Sequence, residues 1–61
     1  MIVELLDPDT LALVDVEAKL ISPEVEILMR EDNQDGTVSV TLPWTYRNMK
    51  LLSDNGVRVP S

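Results

Sequence analysis

Carboxylates are the most abundant reactive side chains in this 61-residue sequence, which has eleven acidic residues, no histidine and no cysteine. Histidine is the commonest general base near neutral pH, and neither a cysteine nor a histidine-activated serine is present as a nucleophile. Zinc sites that use these ligands, and disulfide bonds, are excluded for the same reason. The two glycines, Gly36 and Gly56, do not form a phosphate-binding loop. The sequence therefore predicts a non-catalytic domain with no cofactor and no small-molecule substrate.

Two groups of oxygen ligands raise the question of metal binding. Residues 32–36 (Asp-Asn-Gln-Asp-Gly) place oxygen ligands before a glycine, as a calcium loop does. If Glu31 is the first ligand, however, the twelfth position is Leu42, where a calcium loop needs a bidentate glutamate. Asp7 and Asp9 form a second pair, but they lie in an Asp-Pro-Asp-Thr sequence that is typical of a turn. We therefore expect turns at both places and no metal site.

The charge is unevenly distributed along the chain. Residues 1–36 contain ten acidic and two basic residues, a balance of −8, whereas residues 37–61 contain one acidic and three basic residues, a balance of +2. The total of −6 argues against indiscriminate binding to nucleic acid, which requires a basic surface. The candidate surface for protein contact is accordingly acidic and consists of Glu17, Glu24, Glu26 and Glu31.

The C-terminal part contains the candidate contacts to a partner or to DNA, which are Trp44, Arg47, Lys50 and Arg58. An exposed tryptophan can stack on a base or on a partner side chain, and basic residues three positions apart share a helical face that can contact phosphate. An ordinary structural interpretation competes with this one. In it, Trp44 belongs to the core or to a hydrophobic staple, and Arg47 and Lys50 form the solvated face of an amphipathic helix.

The N-terminal third has the pattern of β-structure. Residues 2–6 are a short β-prone run, and the turn sequence at residues 7–10 follows it. In residues 13–20 apolar and charged side chains alternate, which favours a half-buried strand. The apolar residues predicted to share one face of this strand are Val14, Val16, Ala18 and Leu20. A helix capped by Asp9 or Thr10 is the alternative for the same segment.

A β-hairpin is predicted on either side of residues 32–36. Apolar residues alternate with charged ones in residues 24–30 and with hydroxyl residues in residues 37–42. The Asp-Gly pair in the intervening loop is typical of a hairpin turn. The apolar residues expected on one side of the sheet are Val25, Ile27, Met29, Val38, Val40 and Leu42.

A short helix is predicted over residues 46–55. Pro43 ends the preceding strand, Thr45 is a good N-cap, and Gly56 suits the left-handed position that follows a helix. The predicted apolar stripe consists of Tyr46, Met49 and Leu52, widened by Leu51. Together these elements predict an α+β fold, a small antiparallel sheet of three to four strands with one C-terminal helix packed on it.

We expect residues 1–61 to form a single small domain, either a free-standing protein or a fragment or N-terminal module of a longer chain. No apolar run approaches the roughly 20 residues of a membrane span. The first residues also lack the features of a secretory signal, and the absence of cysteine fits a reducing compartment. We therefore expect a cytoplasmic protein, in the host cytoplasm if it is viral, with no membrane contact.

The C-terminal third contains a recognisable arrangement of residues. Leu42 and Pro43 are followed by Leu51 and Leu52 and then by residues 56–61 (Gly-Val-Arg-Val-Pro-Ser). This arrangement resembles the N-terminal region of bacteriophage helicases of the Swi/Snf-like type. In that family, a strand ending in Leu-Pro precedes a short helix and a Gly-aliphatic-x-aliphatic-Pro-Ser segment that leads into the ATPase core.

The resemblance implies an accessory or recognition domain of a DNA translocase, with the ATPase motifs downstream of these residues. It implies a protein partner, such as the adjoining motor domains, for the acidic sheet. DNA contact would fall to the C-terminal helix. The alternatives are a free-standing small acidic phage protein that inhibits a host nucleic-acid-binding protein, and an unassigned protein-interaction domain, including one that self-associates through a strand edge.

Overall fold

The computed structural model describes residues 1–60, which form a four-stranded antiparallel sheet and one α-helix. The elements are β1 (Ile2–Asp7), β2 (Thr10–Glu17), a 3₁₀ turn (Ala18–Leu20), β3 (Met29–Asp32), β4 (Thr37–Pro43) and α1 (Tyr46–Asp54). The strands lie in the order β1-β2-β4-β3, so β1 and β3 are the two edges of the sheet. The predicted α+β fold is confirmed, with four strands.

The turn between β1 and β2 forms as its sequence predicts. The Asp7 carboxylate accepts a hydrogen bond from the Asp9 N–H at 2.8 Å, which is the local side-chain contact that favours aspartate in turns. The Asp9 carbonyl in turn accepts from the Trp44 N–H at 2.6 Å. The β1–β2 turn is therefore tied to the segment that leads into α1.

Strand β2 confirms the prediction of a strand over a helix, but its alternation is interrupted. Leu13 pairs with Val40 and Val16 pairs with Val38, so two residues of β2, Val14 and Asp15, lie opposite one residue of β4. Asp15 has a φ of 57°, the left-handed conformation that aspartate tolerates better than most residues do. This β-bulge shifts the inward positions by one residue.

The bulge makes one prediction wrong. The expected common face of Val14, Val16, Ala18 and Leu20 does not exist, because Val16 is buried whereas Val14 lies on the other side of the sheet from Leu13. The strand also ends at Glu17, and the residues after it turn into the 3₁₀ segment. The bulge cannot be recognised from the sequence, because the apolar and charged residues continue to alternate through it.

The core lies on one face of the sheet. Its buried residues are Leu11, Leu13, Val16, Ile21, Val25, Val38, Val40, Leu42, Leu52 and Val57. Strand β4 alternates without interruption, with three buried residues and hydroxyl residues between them, as predicted. The opposite side of the sheet, here named the open face, consists of Ile2, Glu4, Ala12, Val14, Glu17, Met29, Glu31, Thr37, Ser39 and Thr41.

The first strand of the hairpin is shorter than the alternation predicts. Residues 22–28 are irregular, and only Met29–Asp32 pairs with β4. Val25 is buried and Ile27 packs against the core, but Met29 is 67% exposed, so its predicted place on the apolar side is wrong. Residues 22–28, here named the covering segment, place Val25 and Ile27 against the core without forming a strand, whereas Leu28 is 63% exposed.

Helix α1 begins and ends close to its predicted limits. The Thr45 hydroxyl accepts from the Asn48 N–H at 3.1 Å, which confirms the N-cap. At the other end Gly56 has a φ of 83°, and the Gly56 and Val57 N–H groups donate to the carbonyls of Ser53 and Leu52. This pair of bonds is the Schellman motif, which glycine favours because it has no Cβ.

The predicted apolar stripe of the helix is partly wrong. Tyr46, at its first position, is 76% exposed, whereas Leu52 is fully buried and Leu51 is half-buried. The buried face of α1 is therefore rotated away from Tyr46 and is completed by Asn48, which is 1% exposed. Within residues 1–60, no helix is long and apolar enough to cross a membrane.

Candidate functional site

The three predicted basic contacts lie on and after α1, and they differ in their surroundings. Lys50 forms an ion pair with Asp54 one turn later, at 3.6 Å, on the exposed side of the helix. Arg47 is also exposed, and Arg58 lines a shallow depression with Met1 and other residues near the start of β1. Neither arginine forms an ion pair within residues 1–60. The basic group is therefore small, and one of its three charges is already compensated.

Trp44, the fourth residue of the predicted contact group, is half-buried and packs against the core. Its main chain bonds to the β1–β2 turn, and its neighbour Thr45 caps the helix. This environment supports the structural interpretation of the tryptophan, at the point where β4 passes into α1.

The four glutamates of the predicted acidic surface do not lie together. Glu17 and Glu31 are on the open face, where Glu17 also pairs with Lys19 at 3.6 Å. Glu24 and Glu26 belong to the covering segment on the opposite side of the sheet. All four are exposed, but the structure divides them between two surfaces.

In the loop between β3 and β4, the side chains of Asn33 and Asp35 form hydrogen bonds within the hairpin and to strand β2. The Asn33 side-chain amide donates to Thr37 Oγ1 at 3.0 Å and to Asp15 Oδ1 at 3.3 Å, across the bulge. The Asp35 carboxylate accepts from the Thr37 hydroxyl at 2.5 Å and from its N–H at 3.0 Å. These hydrogen bonds hold the pKa of Asp35 below its usual value, because they favour the charged form.

These hydrogen bonds are the ones expected of a turn, and they account for the acidic and amide residues of the β3–β4 loop. In the described part of the chain, no three acidic side chains are grouped closely enough to hold a metal ion.

Asn48 is the most important polar residue that the sequence patterns do not reveal. Its side-chain amide donates to the Glu26 and Pro43 carbonyls, both at 3.0 Å, and its Oδ1 accepts from the Glu26 N–H at 3.0 Å. It thus joins α1, the covering segment and the end of β4. A signal was present, because Asn48, Leu51 and Leu52 have the spacing of one helical face, but a buried asparagine is unusual and its partners are far away in sequence.

The outer edge of β1 is the largest unsatisfied feature of the sheet. Within residues 1–60 the backbone hydrogen bonds of β1 run to β2 only, so every second residue of β1 presents its N–H and C=O outward. Large apolar side chains line this edge, with Ile2 52%, Leu5 46% and Leu6 54% exposed. The six residues span about 20 Å. Residues 2–5 pair with β2 in a regular register, which shifts between Leu5 and Asp7, and four residues are still enough to pair with a further strand.

The sheet also carries most of the negative charge. The four strands contain six acidic residues and one basic residue, a balance of −5 out of the total of −6. Helix α1 contains two basic residues and one acidic residue, a balance of +1. The division seen along the sequence therefore persists in space as an acidic sheet and a weakly basic helix.

Comparisons with known proteins give no further guide to this site. No family model matches the sequence, and neither the curated proteins nor the solved structures contain a significant match.

Proposed function

We propose that this chain is a non-catalytic protein-interaction domain that binds an extended segment of its partner along the outer edge of β1. The observation that supports the proposal is the unpaired backbone of β1 together with its exposed Ile2, Leu5 and Leu6. Proteins usually protect such edges by short strands, charges or covering loops, because an open edge recruits another strand. Binding domains use the same property to add a peptide strand to a sheet.

The test is site-specific photo-crosslinking in the cells from which the protein comes. A photoreactive amino acid replaces Leu5 on the β1 edge, and a matched variant carries it at Met29 on the opposite edge. We expect a covalent adduct to another protein from position 5 and little from position 29. Equal adducts from both positions, or none from position 5, would refute a role for this edge.

The resemblance to phage Swi/Snf-like helicases suggests a setting for this role, in which the domain is an accessory module and its partner is the adjoining motor. The acidic sheet supports this setting, because motor domains that track DNA present basic surfaces. The natural reading frame tests it. Continuation beyond Ser61 into an ATPase motif is expected, whereas a stop codon there would exclude the helicase setting and leave the proposal for the β1 edge intact.

Direct DNA contact is the second candidate function, and the exposed Arg47 and Arg58 favour it because neither forms an ion pair within residues 1–60. We expect the double variant Arg47→Ala/Arg58→Ala to weaken DNA binding and to reduce the salt dependence of the affinity by about one phosphate contact per arginine. Lys19→Ala is the matched control, since it removes the same charge at a residue that is already paired with Glu17. Unchanged binding of the double variant in an anisotropy titration would exclude this function.

A further inference from the structure

We infer that the segment taken up by the β1 edge alternates apolar and basic residues, and that the negative charge of this chain disfavours a second copy as the occupant. The inference rests on the proposed binding role of that edge and specifies the chemistry of the partner. It follows from the two faces of β1, from the charge of the sheet and from the symmetry of self-pairing.

The two faces of β1 differ in polarity. Val3 pairs with Leu13 and Leu5 pairs with Leu11, so both lie on the core face. Glu4 pairs with Ala12 and lies on the open face, next to Ile2. An added strand continues the same alternation, because side chains of paired strands share the faces of the sheet. Its residues beside Val3 and Leu5 are therefore apolar, and the residue beside Glu4 faces a carboxylate.

The charges around Glu4 favour a basic residue at that place. The only basic residue in the strands is Arg30, which pairs with Val40 and therefore lies on the core side of β3, where it binds Asp32 at 3.0 Å. The strand residues of the open face thus include no lysine or arginine, whereas they include Glu4, Glu17 and Glu31, of which Glu17 is paired with Lys19 from the 3₁₀ turn. A lysine or arginine on the added strand gains an opposite-charge cross-strand pair in a field of the same sign.

Pairing of β1 with β1 of a second copy is disfavoured by charge. A symmetric antiparallel pair that keeps both core layers on one side must centre on a single residue. Two registers of five residues are available to β1, one centred on Glu4 and one centred on Leu5. The first sets Glu4 directly against Glu4 of the second copy, a like-charge pair that is destabilising, and the second places Asp7 beside the apolar Val3. Two chains of charge −6 also repel each other at a distance.

Three capped eight-residue peptides test the inference by titration into the full chain at low salt. They alternate valine with lysine, with serine or with glutamate, and binding is followed through the amide NMR signals of β1. We expect the lysine peptide to shift the β1 signals and to bind about tenfold more tightly than the glutamate peptide. The variant Glu4→Lys reverses this order, whereas Glu31→Lys, which makes the same change of charge near the other edge, largely preserves it.

Three results would overturn the inference. Equal affinities for the three peptides, or an order that Glu31→Lys reverses and Glu4→Lys does not, would show that Glu4 selects nothing. A concentration-dependent dimer with protected β1 amides would show that a second copy is the occupant, although the edge would still be a binding edge. If no peptide shifts the amide signals of β1, the inference about the partner's sequence is wrong. The crosslinking experiment at position 5 then decides separately whether the β1 edge binds a partner at all.

Discussion

The two edges of the sheet differ in how well they are protected against pairing with another strand. Strand β3 has four residues, and on its core side Arg30 donates twice to Asp32, at 3.0 and 3.2 Å, so this side presents charge to any approaching strand. Strand β1 has six residues, four of them apolar besides one glutamate and one aspartate, and within residues 1–60 its outward backbone groups have no hydrogen-bond partner. Charges that point toward the core side of an edge strand are a recognised protection against edge-to-edge pairing.

The charged β3 edge is therefore less suited than the more apolar β1 edge to pairing with another strand. The β3 edge is also held in place by hydrogen bonds. Asn33 joins its hairpin loop to Asp15, and the Asn48 side chain bonds to the backbone of Glu26 in the segment that precedes β3. An edge that is long, apolar and unprotected is expected where pairing with another chain is useful.

The largest expected effect on stability comes from removing the buried side-chain amide of Asn48, which holds the segment before β3. Asn48→Ala leaves the Glu26 N–H and the Glu26 and Pro43 carbonyls without partners in a buried place, which costs about 2–3 kcal/mol. That is a large share of the total expected for 61 residues, about 3–9 kcal/mol. Urea unfolding measures the loss, and amide exchange should accelerate at Glu26 and Leu28 more than in β1.

Asn55→Ala is the control for this variant, because the Asn55 side chain bonds only to the exposed end of the helix, at the Leu51 carbonyl. Its expected loss is below about 1 kcal/mol. Similar losses from the two variants would contradict the role assigned to the buried amide.

The next largest effect is expected at the β-bulge in strand β2. Asp15→Val places a β-branched side chain at a φ of 57° and is expected to cost about 1–2 kcal/mol. Asp15→Gly relieves the backbone and should be close to neutral, despite the loss of the 3.3 Å contact with Asn33. Thermal unfolding of the two variants measures the difference, and equal destabilisation would show that the carboxylate contact matters more than the backbone conformation.

A smaller effect on stability is expected from the apolar side chains of β1. Leu5→Thr/Leu6→Thr removes side chains that are already about half exposed and should cost less than about 1 kcal/mol. The same variant should lose most of the peptide binding at the edge, whereas Met29→Thr on β3 should not. Retained binding in the β1 variant would break the proposed contrast between the two edges.

The smallest effect on stability is expected from Asp35 in the hairpin loop that follows β3. Because the folded pKa of Asp35 is lowered by Thr37, its contribution to stability is present above the ordinary carboxyl pKa, near 3.8, and is lost as pH falls through the lowered value. Thr37→Val should raise the pKa of Asp35 toward its ordinary value, as followed by NMR of its carboxyl carbon. Thr41→Val, which leaves the Asp35 contacts in place, should not change it.

Much of the fold follows from local patterns in the sequence. The turn after β1, the alternation of β4, the loop at residues 32–36, and the helix with its Thr45 and Gly56 ends all depend on residues that are close together in the chain. Capping, turn chemistry and alternation are short-range effects, so they can be predicted without knowledge of the fold. The uneven charge is also a property of the sequence, and it persists because the acidic residues belong mainly to strands.

The candidate site depended on contacts that the sequence does not show. The order β1-β2-β4-β3 leaves β1 at an edge, and a central position would have hidden the same residues. The bulge at Asp15 reverses the faces after Leu13, the four predicted glutamates separate onto two surfaces, and Asn48 finds partners as far as 22 residues away. Composition determined that this chain is acidic and contains neither histidine nor cysteine, and residue spacing indicated its α+β fold. Only the tertiary arrangement, which selects among long-range pairings of similar local stability, decided which strand remains open to a partner.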